Sequence, residues 1–256
     1  MTTNRALEGK VAAVTGATSG SGRAIAERFA AEGAAVILLA RGADRLEELS
    51  LQLGPKAMGL PTDVGDAGSV RTTFATIADQ FGKLDILVNN AAVYRACPVE
   101  ELTDDDIAAN VATNFVGPVH TCRAAIPLLR AAGAGDIVNT STELTMVPFP
   151  MMTMYVATKA ALEKFSSMLM DELPDDDIRV TTVVQGTAHG EGGGSTGWGW
   201  DPEHRERAYE LWKEQGYLAR VRGSRGQTVE SIADVHLFVV TRPRGQRLDR
   251  VHCLAY

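Results

Sequence analysis

With 256 residues, 45% of them apolar and 22% charged, the chain is long enough to bury a substantial core and reads as a single domain over 1–256. Its net charge of -7 excludes generic binding to nucleic acid or to an anionic membrane, because both need basic surface. Cys97, Cys122 and Cys253 lack paired or zinc-ligand spacing, and the N-terminus lacks the apolar core of a signal peptide. The expectation is a cytoplasmic protein with reduced thiols, no membrane segment and no metal.

In chain order, the run 10–15 (KVAAVT) predicts a buried strand, and 22–32 predicts a helix stopped by Gly33. Between them lies Thr15-Gly16-Ala17-Thr18-Ser19-Gly20-Ser21-Gly22. Glycines there permit a tight turn and close backbone approach, and the helix start offers free N–H groups and a positive dipole end to a diphosphate. The spacing, Gly-x-x-x-Gly-x-Gly, differs from the usual dinucleotide fingerprint. A tight connection is the bland alternative, but the place between first strand and first helix favours a nucleotide site.

A second strand is expected at 35–40, a helix through 45–49, a weaker strand at 58–62 and further strands at 84–89, 135–139 and 178–184. Nearly continuous apolar strands separated by helices indicate a parallel sheet covered on both faces. A long helical run starts near Thr103, which forms a capping-box-like signature with Asp106. Pro118 lies four residues after Asn114 and has no N–H to offer its carbonyl, which leaves that carbonyl able to bind a water or the helix merely kinked. From Gly186 to Gly199 glycines crowd around Trp198 and Trp200. Asp201-Pro202-Glu203 then signals a helix start and Gly216 a stop. The stretch at about 187–226 reads either as a substrate lid or as a subunit-packing insertion.

Tyr155 and Lys159 stand four apart, which on a helix puts a phenol and an ammonium on one face. A nearby ammonium is expected to lower the phenol pKa and so make it a general acid or base. Alone the pair is weak evidence.

The ordered combination Thr15-Gly16-x-x-x-Gly20-x-Gly22, Asp63-Val64, Asn89-Asn90-Ala91, Asn114 and Tyr155-x-x-x-Lys159 resembles the short-chain dehydrogenase/reductase family over nearly the whole chain. The resemblance implies a single Rossmann-type doubly wound parallel α/β sheet with helices on both faces, and NADP(H)- or NAD(H)-dependent hydride transfer with a small alcohol or ketone. It implies that Asp63 binds the adenine amino group, that Val64 lines the adenine pocket, and that Asn90 and Ala91 pass the adenosine ribose. Lys159 would hold the nicotinamide ribose, and a water on Asn114 would complete a proton relay to Lys159. The family's serine thirteen residues before the tyrosine is Thr142 here, with Ser141 as the alternative donor to the substrate oxygen. Where an NAD enzyme commonly carries an acid, the second strand ends in Ala40-Arg41, and a guanidinium matches a 2′-phosphate, so NADP is expected; the alternative is a solvated Arg41 and either cofactor. Two departures flank the nicotinamide half: Gln185-Gly186 for the family's proline-glycine turn, and Ala92 for a glycine. Trp198, Trp200, Tyr209 and Trp212 read equally as an apolar substrate wall or as lid core. A homo-oligomer, tetramer or dimer, is implied by the resemblance. The competing classes are a catalytically silent NADP(H)-binding regulator or scaffold of the same fold and a different nucleotide-fold enzyme; retention of Asn114, Tyr155 and Lys159 argues against both.

Overall fold

Strands with two apolar faces decide the architecture. In β1 (Val11–Thr15), Ala12 and Val14 pack into one buried cluster while Val11 and Ala13 pack into another, and β2 (Ala35–Ala40) divides Val36 and Leu38 from Ile37 and Leu39 in the same way. A strand buried on both sides needs a helical layer on each. The computed structural model describes residues 5–147, 149–173, 176–188, 201–218 and 227–255. One cluster is closed by α1 (Gly20–Ala31), α2 (Ala43–Leu53) and α8 (Val229–Val240). The other is closed by α3 (Ala67–Phe81), α5 (Gly117–Ala131) and α6 (Thr153–Glu172).

The sheet has seven strands in the order β3-β2-β1-β4-β5-β6-β7, every pair parallel. The remaining strands are β3 (Ala57–Pro61), β4 (Ile86–Asn89), β5 (Gly135–Thr142), β6 (Ile178–Gln185) and β7 (Arg250–Cys253). Strand order reverses between β1 and β4, and ligands of such sheets bind beyond the strand C-termini at that switch point. The expected doubly wound sheet is therefore present. It gains a seventh strand that the sequence reading did not include, because Arg250-Val-His-Cys is short, half-exposed and lies at an edge.

Two local features position the site. The helix expected from Thr103 begins as α4 (Asp104–Val111) with a complete capping box between Thr103 and Asp106. It then widens into a π-helical turn at Ala112–Val116, where the Gly117 N–H reaches back to the Ala112 carbonyl, before α5 begins. Pro118 supplies the cause, since it cannot make the regular bond to Asn114. After β6, α7 (Pro202–Glu214) starts as expected, with the Asp201 side chain accepting the Glu203 and His204 N–H groups, and Gly216 follows its end at φ +70°. Half of the expected lid, 189–200 with Trp198 and Trp200 and also 219–226, lies outside the described residues. Among the described residues no helix is long and apolar enough to cross a membrane, and no cluster of His, Cys, Asp and Glu is arranged to hold a metal ion.

Candidate active site

The glycine turn after β1 is welded to the loop after β4. Thr15 Oγ1 accepts both the Asn90 and Ala91 N–H groups, at 2.9 and 3.0 Å, and Ser21 Oγ donates to Asn90 Oδ1 at 3.2 Å. The contact leaves no room for side chains on two glycines. A Cβ on Gly16, which has φ +66°, would stand 2.9 Å from Ala91 Cα, and one on Gly22 would stand 2.2 Å from the Gly16 carbonyl oxygen. Helix α1 begins here with Ser19 at its N-cap, without a side-chain cap and without an acid in its first turn. Its terminal N–H groups and dipole are thus left facing the crevice, with Thr18 and Ser19 on the approach. Helices α2, α5 and α6 likewise lack a side-chain cap, whereas α3, α4, α7 and α8 are each capped by their own Asp or Thr side chain; α1 differs in following the glycine turn after β1. This is the arrangement that a diphosphate fits.

The adenine end is set by β2 and β3. Arg41 is exposed immediately past β2. Asp63 lies just past β3 and turns on itself, its Oδ1 accepting the Gly65 N–H at 2.9 Å. Val64 is buried against Gly117, and its carbonyl meets His120 Nδ1 at 3.3 Å.

Strand β5 runs three residues further than its apolar run suggests, and that extension separates the two candidate hydroxyls, since neighbouring residues on a strand point to opposite sides. Ser141 Oγ donates to Glu163 Oε1 at 2.6 Å, whereas Thr142 lies beside the Tyr155 phenol. Tyr155 and Lys159 sit one turn apart on α6, with the Lys159 ammonium 6.0 Å from the phenol ring centroid. Lys159 is 2% exposed and donates to the Thr140 carbonyl at 2.7 Å. Asn114, on the π turn and fully buried, brackets Val93 with two 2.8 Å bonds and donates to Thr158 Oγ1 at 3.2 Å; Thr158 donates in turn to the Tyr155 carbonyl. Asn114 therefore ties the β4 loop to the turn of α6 that carries the tyrosine. Gly186, at the end of β6, has its N–H on the Cys253 carbonyl, and a Cβ there would crowd Glu143.

One electrostatic expectation is corrected. The Tyr155 phenol is raised above its usual range, not lowered: burial is the main cause, the neighbouring Tyr94 phenol adds to it, and Thr142 opposes it. Lys159 faces the Thr140 carbonyl, and its own burial pushes its pKa down to about 8, with the Glu163 carboxylate acting in the opposite sense. At neutral pH the site thus holds a neutral phenol beside a protonated amine.

Several positioning groups escaped the sequence reading. A buried amide ladder runs from Asn89 Nδ2 to Asn139 Oδ1 at 2.8 Å, and from Asn139 Nδ2 to Ser166 Oγ at 2.8 Å, fastening α6 to β4 and β5. Polar residues ending two otherwise apolar strands were the available signal. Glu163 also receives Thr145 Oγ1 at 2.8 Å and the Arg250 guanidinium, and Glu143 accepts the Thr187 N–H at 2.9 Å where the chain leaves β6.

With this geometry in hand, comparison with known proteins is specific. The short chain dehydrogenase family model matches residues 10–192. D-threitol dehydrogenase of Mycolicibacterium smegmatis is 38% identical over 180 residues, 69% of this chain and 69% of that protein. L-Sorbose reductase from Gluconobacter frateurii, solved with NADPH and L-sorbose, is 29% identical with a TM-score of 0.82, covering 98% of this chain and 97% of its own. A short chain dehydrogenase from Burkholderia cenocepacia, solved with NADP, is 31% identical with a TM-score of 0.81 over 98% of both chains.

Proposed function

We propose that this chain, which belongs to the short-chain dehydrogenase/reductase family, is an NADP(H)-dependent oxidoreductase acting between a ketone and a secondary alcohol. The observation that carries this reading is that Thr142 lies beside the Tyr155 phenol with Lys159 one turn on, while Asn114 ties that turn to the loop after β4, which is itself bonded to the glycine turn after β1. The NADP and NADPH complexes of the structural neighbours support the choice of cofactor.

A bound nicotinamide supplies hydride chemistry, and the protein supplies orientation and proton handling. The α1 N-terminus with Thr18, Ser19 and Ser21 takes the diphosphate. Arg41 takes the 2′-phosphate, Asp63 and Val64 the adenine, and Asn90 and Ala91 the adenosine ribose. Lys159 holds the nicotinamide ribose, with Gly186 passing beside the ring. Thr142 donates to the substrate oxygen, and Tyr155 exchanges a proton with that oxygen. A phenol held neutral by burial is in the state of a proton donor, the form that reduction of a ketone requires. The exposed apolar side chains Ile107 and Val111 of α4 and Met168 of α6 suit a homo-oligomer, which sedimentation registers as a mass above that of one chain.

Equilibrium titration with both cofactors tests the assignment: NADPH binds more tightly than NADH, and Arg41→Ala erases the difference. A charge-assisted hydrogen bond of ~1.5–3 kcal/mol corresponds to a loss of about 10- to 100-fold for NADPH alone. Tighter binding of NADH by the unaltered chain contradicts the assignment. Loss of reduced-nicotinamide absorbance over a ketone panel tests turnover, and silence with tight NADPH binding identifies a regulator instead. A pH profile adds a further check. Lys159 is lowered to about 8, so it is charged below that pH and neutral above it, and kcat/KM declines as pH rises through that value. Glu163→Gln removes the carboxylate that raises the Lys159 pKa, so the alkaline limb moves to lower pH; an unmoved limb assigns it to another group.

A further inference from the structure

Met151 is the one non-glycine residue with positive φ among the described residues, at +66°. A side chain in that region is strained, and glycine would occupy it freely. Such strain persists where surrounding structure over-determines it, and it concentrates at ligand sites. Here the turn is held from both sides. The Met151 carbonyl accepts the Cys97 N–H at 2.8 Å, and the Pro150 carbonyl accepts Trp212 Nε1 of α7 at 2.8 Å. The Met151 side chain is only 9% exposed and enters a third apolar cluster, separate from the two that flank the sheet.

The Tyr155 phenol, the proposed proton donor, packs against that cluster. Met151, Met152 and Trp212, with Ala96 and Ala208, form its buried part, and Tyr94, Phe149 and Tyr155 itself pack against them. The Tyr94 ring lies 5.3 Å from that of Tyr155, and Phe149 lies 4.6 Å from Trp212. The polar end of the site is thus the pair of hydroxyls on Thr142 and Tyr155, and the wall next to it is thioether and aromatic ring. A substrate hydroxyl placed against that wall loses its water without gaining a partner, whereas a ring gains contact and polarisable neighbours.

We infer that the substrate is a ketone or secondary alcohol bearing a large apolar, ring-containing group, selected by Met151 and Trp212. This rests on the reductase reading and adds the substrate class to it. The experiment compares acetophenone, acetone and dihydroxyacetone with NADPH, in the unaltered enzyme and in Met151→Gly. The unaltered enzyme prefers acetophenone over acetone by at least about 10-fold in kcat/KM, since an apolar pocket discriminates about 10- to 200-fold over a single methylene. In Met151→Gly that ratio falls, mainly through KM for acetophenone, and thermal stability falls too, because the cavity left in the cluster and the added freedom of the unfolded chain outweigh the relieved backbone strain. Equal or better use of acetone or dihydroxyacetone by the unaltered enzyme overturns the inference. So does a stability change with an unaltered ratio, which makes Met151 purely structural. Calorimetric titration of 1-phenylethanol and 2-propanol into the NADP complex of the unaltered chain needs neither the variant nor turnover. Tighter binding of 1-phenylethanol with no ketone turned over refutes the reductase and keeps the apolar pocket; no preference refutes the pocket.

Discussion

Tyr155→Phe is expected to lower kcat/KM by about 10²–10⁴-fold, the contribution of a positioned general acid. The variant should bind NADPH with an unchanged dissociation constant, since only the hydroxyl leaves and the ring still packs on Tyr94 at 5.3 Å. Thermal stability should hold as well. The phenol is buried, and its hydroxyl neighbour Thr142 retains the Leu144 N–H that it accepts at 3.4 Å. Stopped-flow turnover alongside fluorescence titration of NADPH separates the two effects. A variant with near-normal turnover removes the phenol from the chemistry, and one that no longer binds cofactor makes Tyr155 a structural part of the cofactor site.

Gly22→Ala carries the second large effect. The new methyl would lie 2.2 Å from the Gly16 carbonyl oxygen, 2.6 Å from Asn90 Nδ2 and 2.9 Å from the Gly16 carbonyl carbon. Two of those atoms are backbone of the turn itself, so relief requires the turn to move away from α1. Overpacking of ~1–3 kcal/mol corresponds, for a domain of this size, to a fall of about 2–12 °C in Tm. NADPH binding should weaken with it, because the displaced turn carries the N–H groups that face the crevice. Gly245→Ala is the control: a methyl there meets nothing within 4 Å, and neither Tm nor binding should change. Equal behaviour of the two variants contradicts the close approach of turn and helix.

What was legible in the sequence follows from how locally each feature is determined. The apolar runs at 10–15 and 35–40 became β1 and β2 because nothing but a doubly covered sheet can bury them. The Thr103–Asp106 capping box and the break at Pro118 are local chemistry, and both appear, the latter as a π turn. The choice between Ser141 and Thr142 was not legible. It depends on β5 continuing past Asn139 through three hydroxyl residues, and that extension comes from pairing with β6. Edge strand β7 was missed for a related reason, as its four half-exposed residues pair only through register with β6. The spacing of Tyr155 and Lys159 correctly brought the groups together but misjudged the electrostatics, because burial of the phenol exceeds the influence of an ammonium that faces Thr140. Met151 gave no warning, since a left-handed turn ordinarily announces itself by glycine or asparagine.

Deuterium transfer tests the central claim most directly. NADPH carrying deuterium at its transferable position is incubated with the enzyme and acetophenone, and the alcohol is examined by mass spectrometry and proton NMR. The account predicts one deuterium on the carbinol carbon, with formation of that labelled alcohol slowed about 10²–10⁴-fold in Tyr155→Phe and the label's position unchanged. Alcohol whose carbinol hydrogen comes from water, or cofactor oxidation that leaves the ketone intact, contradicts it.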